Sequence, residues 1–210
     1  QVKKSGLIIK RVCDIGLSLF LLVFLSPLLI FSAILVKKSM GSPVFFRQPR
    51  IGLQGSEFRI FKFRTMTESY DSDGQLLSDD KRITKVGSFL RKTTFDELPE
   101  LFNVLIGQMS IVGPRPLLTE YRDRYDESQW RRHEMLPGMA GPVLANGRNS
   151  VNWNQKFILD LDYVDNWSLL LDAKIFFKTF WAVISRKGIS AEGHISMPIF
   201  EGNTEEKKTK

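Results

Sequence analysis

The chain has 210 residues, 43% apolar and 25% charged, with a formal net charge of +7. That is enough apolar material for one packed domain with or without a membrane element, and too much for a globally disordered chain. A single cysteine, Cys13, excludes an internal disulfide framework and a cysteine-built zinc site, and suits a reducing compartment. The positive excess is local. Residues 1–64 carry eleven Lys/Arg against Asp14 and Glu57, whereas residues 65–210 carry nineteen against twenty-one acids. Basic charge beside an apolar segment fits anionic headgroups and phosphate ligands, so no nucleic-acid partner is expected.

The first element is the run from Ile15 to Val36, 22 residues without a charge, close to the ~20 needed to cross a bilayer. It is too long for a signal peptide, and no small-residue cleavage site follows it. Two readings stand. One is an ordinary spanning anchor. The other is a re-entrant helix broken at Ser26-Pro27. Lys3, Lys4, Lys10 and Arg11 precede the run and Lys37 and Lys38 follow it, so the positive-inside rule holds both ends on the cytoplasmic side. Pro27 removes a backbone donor and kinks the helix at mid-run.

Pro43–Gln48 and Glu57–Thr65 read as short strands joined by the turn Pro49–Gly55. Arg47, Arg50, Arg59, Lys62 and Arg64 punctuate this hairpin, either as a basic face on headgroups or as holders of a phosphate. Met66 to Lys85 is a polar loop with room for a short helix, long enough to suggest a lid. Thr94-Phe95-Asp96-Glu97 has the form of a capping box, followed by Leu98, Leu101, Phe102 and Leu105 at helical spacing. Gly107 would end that helix, and Gly113-Pro114-Arg115-Pro116 is a stiff turn that fixes where Arg115 points. Turns are expected at Pro137-Gly138, Gly141-Pro142 and Asn146-Gly147-Arg148-Asn149. Ser168 caps a final helix through Ile184. Leu169, Ala173, Phe176, Phe177, Phe180 and Ile184 line one face of it, as a core helix or a membrane-surface helix. The polar tail from Glu201 is expected to be disordered.

Asp96 and Glu97 are adjacent carboxylates in a first helical turn, where free N–H groups favour the ionised form. Acids are common at such positions for structural reasons alone. Arg91 before them and Arg115 after them change the picture. Carboxylates flanked by cations suit phosphoryl transfer, which needs a nucleophile, a divalent metal and positive charge on the phosphoryl oxygens.

Taken together, these stretches resemble the bacterial sugar transferases, the monotopic polyprenyl-phosphate phosphoglycosyl transferases. The resemblance rests on Lys10-Arg11 with Asp14, Ser26-Pro27, Phe46-Arg47-Gln48, Lys62-Phe63-Arg64-Thr65-Met66, Asp96-Glu97-Leu98-Pro99-Glu100-Leu101-Phe102-Asn103-Val104-Leu105, Gly113-Pro114-Arg115-Pro116 and Asn146-Gly147-Arg148. It implies a helix-rich α/β fold: a re-entrant membrane hairpin over 1–38, a small cytosolic catalytic domain over 39–200 with a short β-hairpin and amphipathic interface helices, and a flexible tail over 201–210. It further implies attack by Asp96 on the sugar-linked phosphate of a UDP-sugar, release of UMP, and transfer of the phosphosugar to a polyprenyl phosphate such as undecaprenyl phosphate. Magnesium is expected, with Asp96 and Glu97 as its candidate ligands and Glu97 alternatively a base. Arg91, Arg115, Arg148, Lys62 and Arg64 are the expected substrate-binding residues. The cytoplasmic face of the bacterial inner membrane is the expected location; the sequence sets no oligomeric state.

The chain departs from the family pattern at Met139-Ala140-Gly141 and Val143-Leu144-Ala145, where Ile-Thr-Gly and Ala-Gln-Val are usual. Arg186-Lys187-Gly188-Ile189-Ser190 is similar to members that use N-acetylated amino sugars. An N-acetylated amino sugar is therefore the expected substrate, with UDP-glucose or UDP-galactose as the alternative. The rival functions are a membrane-anchored interaction protein whose acids are only caps, and a metal phosphohydrolase.

Overall fold

The computed structural model describes residues 4–146, 151–185 and 199–202. Arg148, the segment 186–190 and the tail from 203 lie outside the described residues. The described part is a mixed, helix-rich α/β fold with two small sheets.

The apolar run forms two helices, α1 (Lys4–Phe24) and α2 (Ser26–Met40). The break falls at Leu25, and Ser26 and Pro27 open α2. Proline is tolerated there because a first-turn N–H has no helical partner to lose. The Ser26 hydroxyl donates back to the Val23 carbonyl at 2.8 Å. No helix among the described residues is by itself long and apolar enough to cross a membrane; α1 and α2 together are, and they meet at a bend of 63°. Ile8, Val12, Phe20, Val23, Phe24 and Ile30 are each more than 60% exposed along this pair.

Two residues of the basic flank also make contacts inside the protein. Lys10 is buried and pairs with Asp172, and Arg11 donates to the carbonyls of Val104 and Leu105. These two cations tie α1 to α5 and to the chain around Asp172.

Strands β1 (Phe45–Ile51) and β2 (Glu57–Phe63) form an antiparallel hairpin with Phe46 opposite Lys62 and Ile51 opposite Glu57. The turn is shorter than expected, because Pro49 and Arg50 belong to β1. The long loop that follows contains α3 (Asp79–Arg82) and then α4 (Lys85–Thr93). Thr84 caps α4 by accepting the Gly87 N–H at 2.9 Å.

The expected capping box at Thr94 does not form. Thr94 stands in the left-handed region, φ 61°, as the last residue of the α4 cap, and its side chain caps nothing. A single 3-10 turn, Phe95–Glu97, leads through Leu98 and Pro99 into α5 (Glu100–Leu105). The chain needs a sharp reversal here, and the αL residue supplies it where a cap would have continued straight into a helix.

Helix α5 is fixed to the hairpin by Asn103, which is fully buried. Its amide accepts from the Phe61 N–H at 2.9 Å and donates to the Arg59 carbonyl at 2.8 Å. The side chain thus satisfies two backbone groups of β2 as a neighbouring strand would.

Strand β3 (Ser110–Val112) pairs in parallel with β4 (Gly138–Ala140). Gly113 and Gly138 meet backbone to backbone: a Cβ on Gly138 would lie 2.0 Å from the Gly113 nitrogen, and one on Gly113 2.2 Å from the Leu136 carbonyl oxygen. Short helices α6 (Glu127–Trp130) and α7 (Pro142–Ala145) follow, then α8 (Trp153–Asp165) and α9 (Leu169–Ile184). Ser168 caps α9 as expected, accepting the Leu171 N–H at 3.1 Å. The buried face of α9 carries Asp172, Ile175 and Thr179, while Leu170, Phe177, Phe180 and Trp181 are exposed. The main core gathers Leu22, Phe58, Ile60, Leu101, Val104, Met109, Ile111 and Tyr163 from both the helix pair and the catalytic part. At the other end, Phe200 is buried against Tyr121 and Phe157.

Candidate active site

Four segments converge on one cluster of charge. The 3-10 turn supplies Asp96 and Glu97, the start of α5 supplies Glu100, and β2 supplies Lys62. The turn after β3 adds Arg115. Lys62 Nζ lies 2.6 Å from Glu97 Oε1 and 3.2 Å from Glu100 Oε1. Arg115 lies 2.5 Å from the same Glu97 oxygen. The Lys62 reach is set by the Asn103 clamp, which docks α5 on β2 at Phe61, one residue from Lys62.

Burial would push the Glu97 carboxyl upward, but Arg115 and Lys62 outweigh it and hold that carboxyl far below its ordinary range. Asp96 goes the other way. Burial, followed by the Glu97 charge, raises it to about 6, with Lys62, Arg91 and Arg115 opposing. The Asp96 side chain accepts no hydrogen bond from any described residue, so its carboxylate is uncommitted. Two adjacent acids are therefore driven apart: Glu97 is held as an anion between two cations, while the Asp96 carboxyl is buried, takes no hydrogen bond from the described residues and is raised to about 6. Such separation of like groups marks distinct chemical roles.

Glu100 is the member that sequence reasoning passed over. Its side chain is 3% exposed, and burial raises its carboxyl to about 7. The only signal in the sequence was its place four residues after Asp96, on the next turn of the same segment. Arg50 is near as well. Burial and then the Arg115 charge lower it to about 10, and its guanidinium donates to the Pro116 carbonyl at 3.3 Å and to Gln48 at 2.7 Å. Arg50, Ile60, Lys62, Glu100, Arg115 and Pro116 enclose a cavity of about 10 Å³.

The remaining expected residues separate. Arg91 lies in the last turn of α4; its Nε donates to Thr65 Oγ1 at 3.0 Å, and its charge acts on Asp96. Arg64 is directed away from the cluster. Its guanidinium donates to the carbonyls of Met40, Gly41 and Ser42 and closes the end of α2. Arg148 lies outside the described residues. Among the described residues no three His, Cys, Asp or Glu side chains gather as a ready-made metal site.

Arg115 is braced from behind. Arg132 donates to the Arg115 carbonyl at 2.7 Å while pairing with Asp160 at 2.7 Å, and the Arg132 and Asp160 side chains are each 3% exposed. A buried guanidinium held by a carboxylate through Nε and by both a carboxylate and a carbonyl through one terminal nitrogen acts as a strut.

The arrangement offers one free carboxylate, a second carboxylate held ionised, and cations from separate elements around them. That set can act as nucleophile, orienting group and phosphate clamp in a phosphoryl transfer. Comparison with known proteins agrees with that chemistry. The chain matches the bacterial sugar transferase family over residues 5–186. It is 48% identical over 197 residues to an uncharacterized sugar transferase of Bacillus subtilis, covering 94% of this chain and 98% of the relative. It is 42% identical over 184 residues to the UDP-glucose:undecaprenyl-phosphate glucose-1-phosphate transferase of Klebsiella pneumoniae, covering 83% of this chain and 40% of that longer protein. It is 37% identical over 204 residues to the undecaprenyl-phosphate galactose phosphotransferase of Salmonella typhimurium, covering 89% of this chain and 42% of the relative. The charge cluster and these likenesses lead to one assignment: the chain belongs to the bacterial sugar transferase family and is a phosphoglycosyl transferase.

Proposed function

We propose that this enzyme moves a sugar 1-phosphate from a UDP-sugar to a polyprenyl phosphate such as undecaprenyl phosphate, in two steps through Asp96. The observation that carries this reading is the buried Asp96 carboxylate, which takes no hydrogen bond from the described residues, beside a Glu97 already neutralised by Lys62 and Arg115. In the first step an Asp96 oxygen attacks the sugar-linked phosphorus. The bond from that phosphorus to the bridging oxygen breaks, and UMP leaves with the electron pair. In the second step an oxygen of the polyprenyl phosphate attacks the same phosphorus, the bond to Asp96 breaks, and the carboxylate is regenerated. Splitting the transfer lets a water-soluble donor and a lipid acceptor use one site in turn. Lys62 and Arg115 hold the phosphoryl oxygens, with Arg91 adding charge beside Asp96.

Magnesium fits the donor set. Asp96 and Glu97 present hard oxygens, and this cation commonly binds through one or two carboxylates plus substrate phosphate oxygens. When bound it supplies positive charge to the phosphoryl group.

The bent helix pair with its exposed apolar side, and Phe177, Phe180 and Trp181 on α9, support a re-entrant seat in the cytoplasmic face of the bacterial inner membrane. The sugar rests on less. An N-acetylated amino sugar is suggested only by residues 186–190, outside the described part. A hexose is favoured by relatives named for glucose and galactose.

The test is a UMP-release assay on the full chain in lipid nanodiscs with a panel of UDP-sugars. With magnesium and no acceptor, the correct donor should give a burst of about one UMP per site, and the protein should gain one phosphosugar on Asp96. Turnover only when lipid phosphate is present, with no burst and no adduct, would replace the two-step route by direct displacement.

A further inference from the structure

Helix α1 does more than carry apolar side chains. Three of its polar residues reach into the catalytic part. Lys10 Nζ donates to the Val112 carbonyl at 2.9 Å and pairs with Asp172 Oδ2 at 2.6 Å. Asp14 Oδ1 accepts the Ile111 N–H at 3.0 Å. Arg11 closes the end of α5 through the carbonyls of Val104 and Leu105, at 2.7 and 2.9 Å. Asp172 also accepts from the Tyr163 hydroxyl at 2.7 Å and from Trp167 Nε1 at 3.1 Å, so the acceptor that receives Lys10 is itself fixed by α8 and α9. Lys10 and Asp14 are both about 5% exposed or less.

The two contacts on β3 fall on main-chain atoms of consecutive residues, Ile111 and Val112. Arg115 follows three residues later, and the intervening chain has no slack. The Gly113 N–H donates to the Ala140 carbonyl at 2.9 Å, and the Gly138 N–H donates to the Pro114 carbonyl at 3.0 Å. A shift of β3 along or across α1 must therefore move the base of the Arg115 side chain relative to Glu97. Arg132 holds the Arg115 carbonyl from the opposite direction.

We infer that Lys10 and Asp14 are positioning residues for the transfer: the polar face of the apolar helix sets the place of β3, and through it the place of the Arg115 guanidinium. The inference rests on the reading of Arg115 as a phosphate-holding group. It makes the seating of α1 a condition for catalysis and not only for attachment.

The experiment is a double-mutant cycle on the acceptor-free half-reaction, with full chains in lipid nanodiscs. Burst rate and burst amplitude are read separately. Lys10→Met should slow the burst about tenfold to a hundredfold, the scale for a reacting or binding group displaced by up to an ångström. The amplitude should stay near one UMP per site, because Asp96 is untouched. In an Arg115→Lys background the same change should cost less than about twofold in rate, since residues acting through a shared partner are not additive. Asp14→Ala, which removes the Ile111 contact together with the Asp14 interactions with Ser110 and Lys10, should behave likewise and serves if Lys10→Met does not fold. Asp14→Asn keeps the accepting oxygen and should restore the native rate. A purely structural role predicts otherwise: lower amplitude at an unchanged rate, or equal losses with and without Arg115. Either result overturns the inference. Absence of any burst in the native chain, with turnover once lipid phosphate is added, would instead remove the two-step reading on which it stands.

Discussion

The strut behind Arg115 gives the sharpest prediction. Asp160→Ala removes the carboxylate that faces Arg132 and leaves a guanidinium with 3% side-chain exposure beside an empty acceptor position. Breaking a buried pair from one side costs ~3–5 kcal/mol. Among the described residues Asp160 Oδ1 has no hydrogen-bond partner, so the native pair already carries some desolvation cost, which points to ~3 kcal/mol, the lower end of that range. In a chain of this size each kcal/mol moves the melting temperature by about 2–4 °C, so a fall of about 6–12 °C is expected in thermal unfolding. Replacing both partners, Arg132→Met with Asp160→Leu, should recover most of that loss, because an apolar pair of similar volume pays no desolvation. Activity should not recover. The methionine cannot donate to the Arg115 carbonyl, which Arg132 now reaches at 2.7 Å. Thermal unfolding followed by circular dichroism, together with UMP release, measures both quantities on the same samples. A double variant as active as the native enzyme would refute the strut, as would a loss below about 1 kcal/mol for Asp160→Ala.

Three further outcomes follow from the charge cluster. Arg115→Lys should lose most turnover in the UMP assay while melting near the native temperature, because an ammonium does not reproduce a guanidinium fork on phosphate. The acceptor-free reaction should fall on acidification through about pH 6, where Asp96 titrates. Its carboxyl is raised in the fold, so its contribution to stability declines as pH rises from 3.8 through about 6 while the reactive anion gains over the same window. In pH–rate profiles Glu97→Gln should move this limb to lower pH by removing the neighbouring charge that raises Asp96; an unmoved limb would assign it to another group. Lys62→Met should raise the donor KM more than it lowers kcat if the ammonium serves ground-state phosphate binding; a pure kcat loss would place Lys62 in the transition state only.

Local signals in the sequence were read well where a short stretch decides the outcome. Ser168 caps the last helix, the apolar run breaks beside Ser26-Pro27, and two strands pair around a short turn. The reading failed where the deciding partner is distant. Thr94-x-x-Glu97 looked like a cap, but Thr94 takes the left-handed conformation that ends α4, and its hydroxyl is lost as a cap. Lys10 and Arg11 looked like a membrane flank because nothing local reveals that Asp172, 162 residues away, and the end of α5 receive them. Lys62 and Arg64 stand two apart on the strand expected over Glu57–Thr65 and so ought to share a face; yet β2 ends at Phe63, Lys62 enters the cluster and Arg64 folds back onto the end of α2. The α9 stripe named from periodicity is largely the exposed side, because the buried side is organised by a charged residue, Asp172, which an apolar count overlooks.

The contact between Gly113 and Gly138 has a consequence for how such a site can diversify. Main chain lies against main chain there, and a methyl group on either residue would overlap backbone atoms at about 2 Å. No rotamer change relieves an overlap with backbone, so replacement at this junction has no mild version. Side chains elsewhere in the fold can be exchanged by small steps, each with a modest effect. The crossing of β3 and β4 admits no such steps, and it acts as a fixed fulcrum from which Arg115 projects.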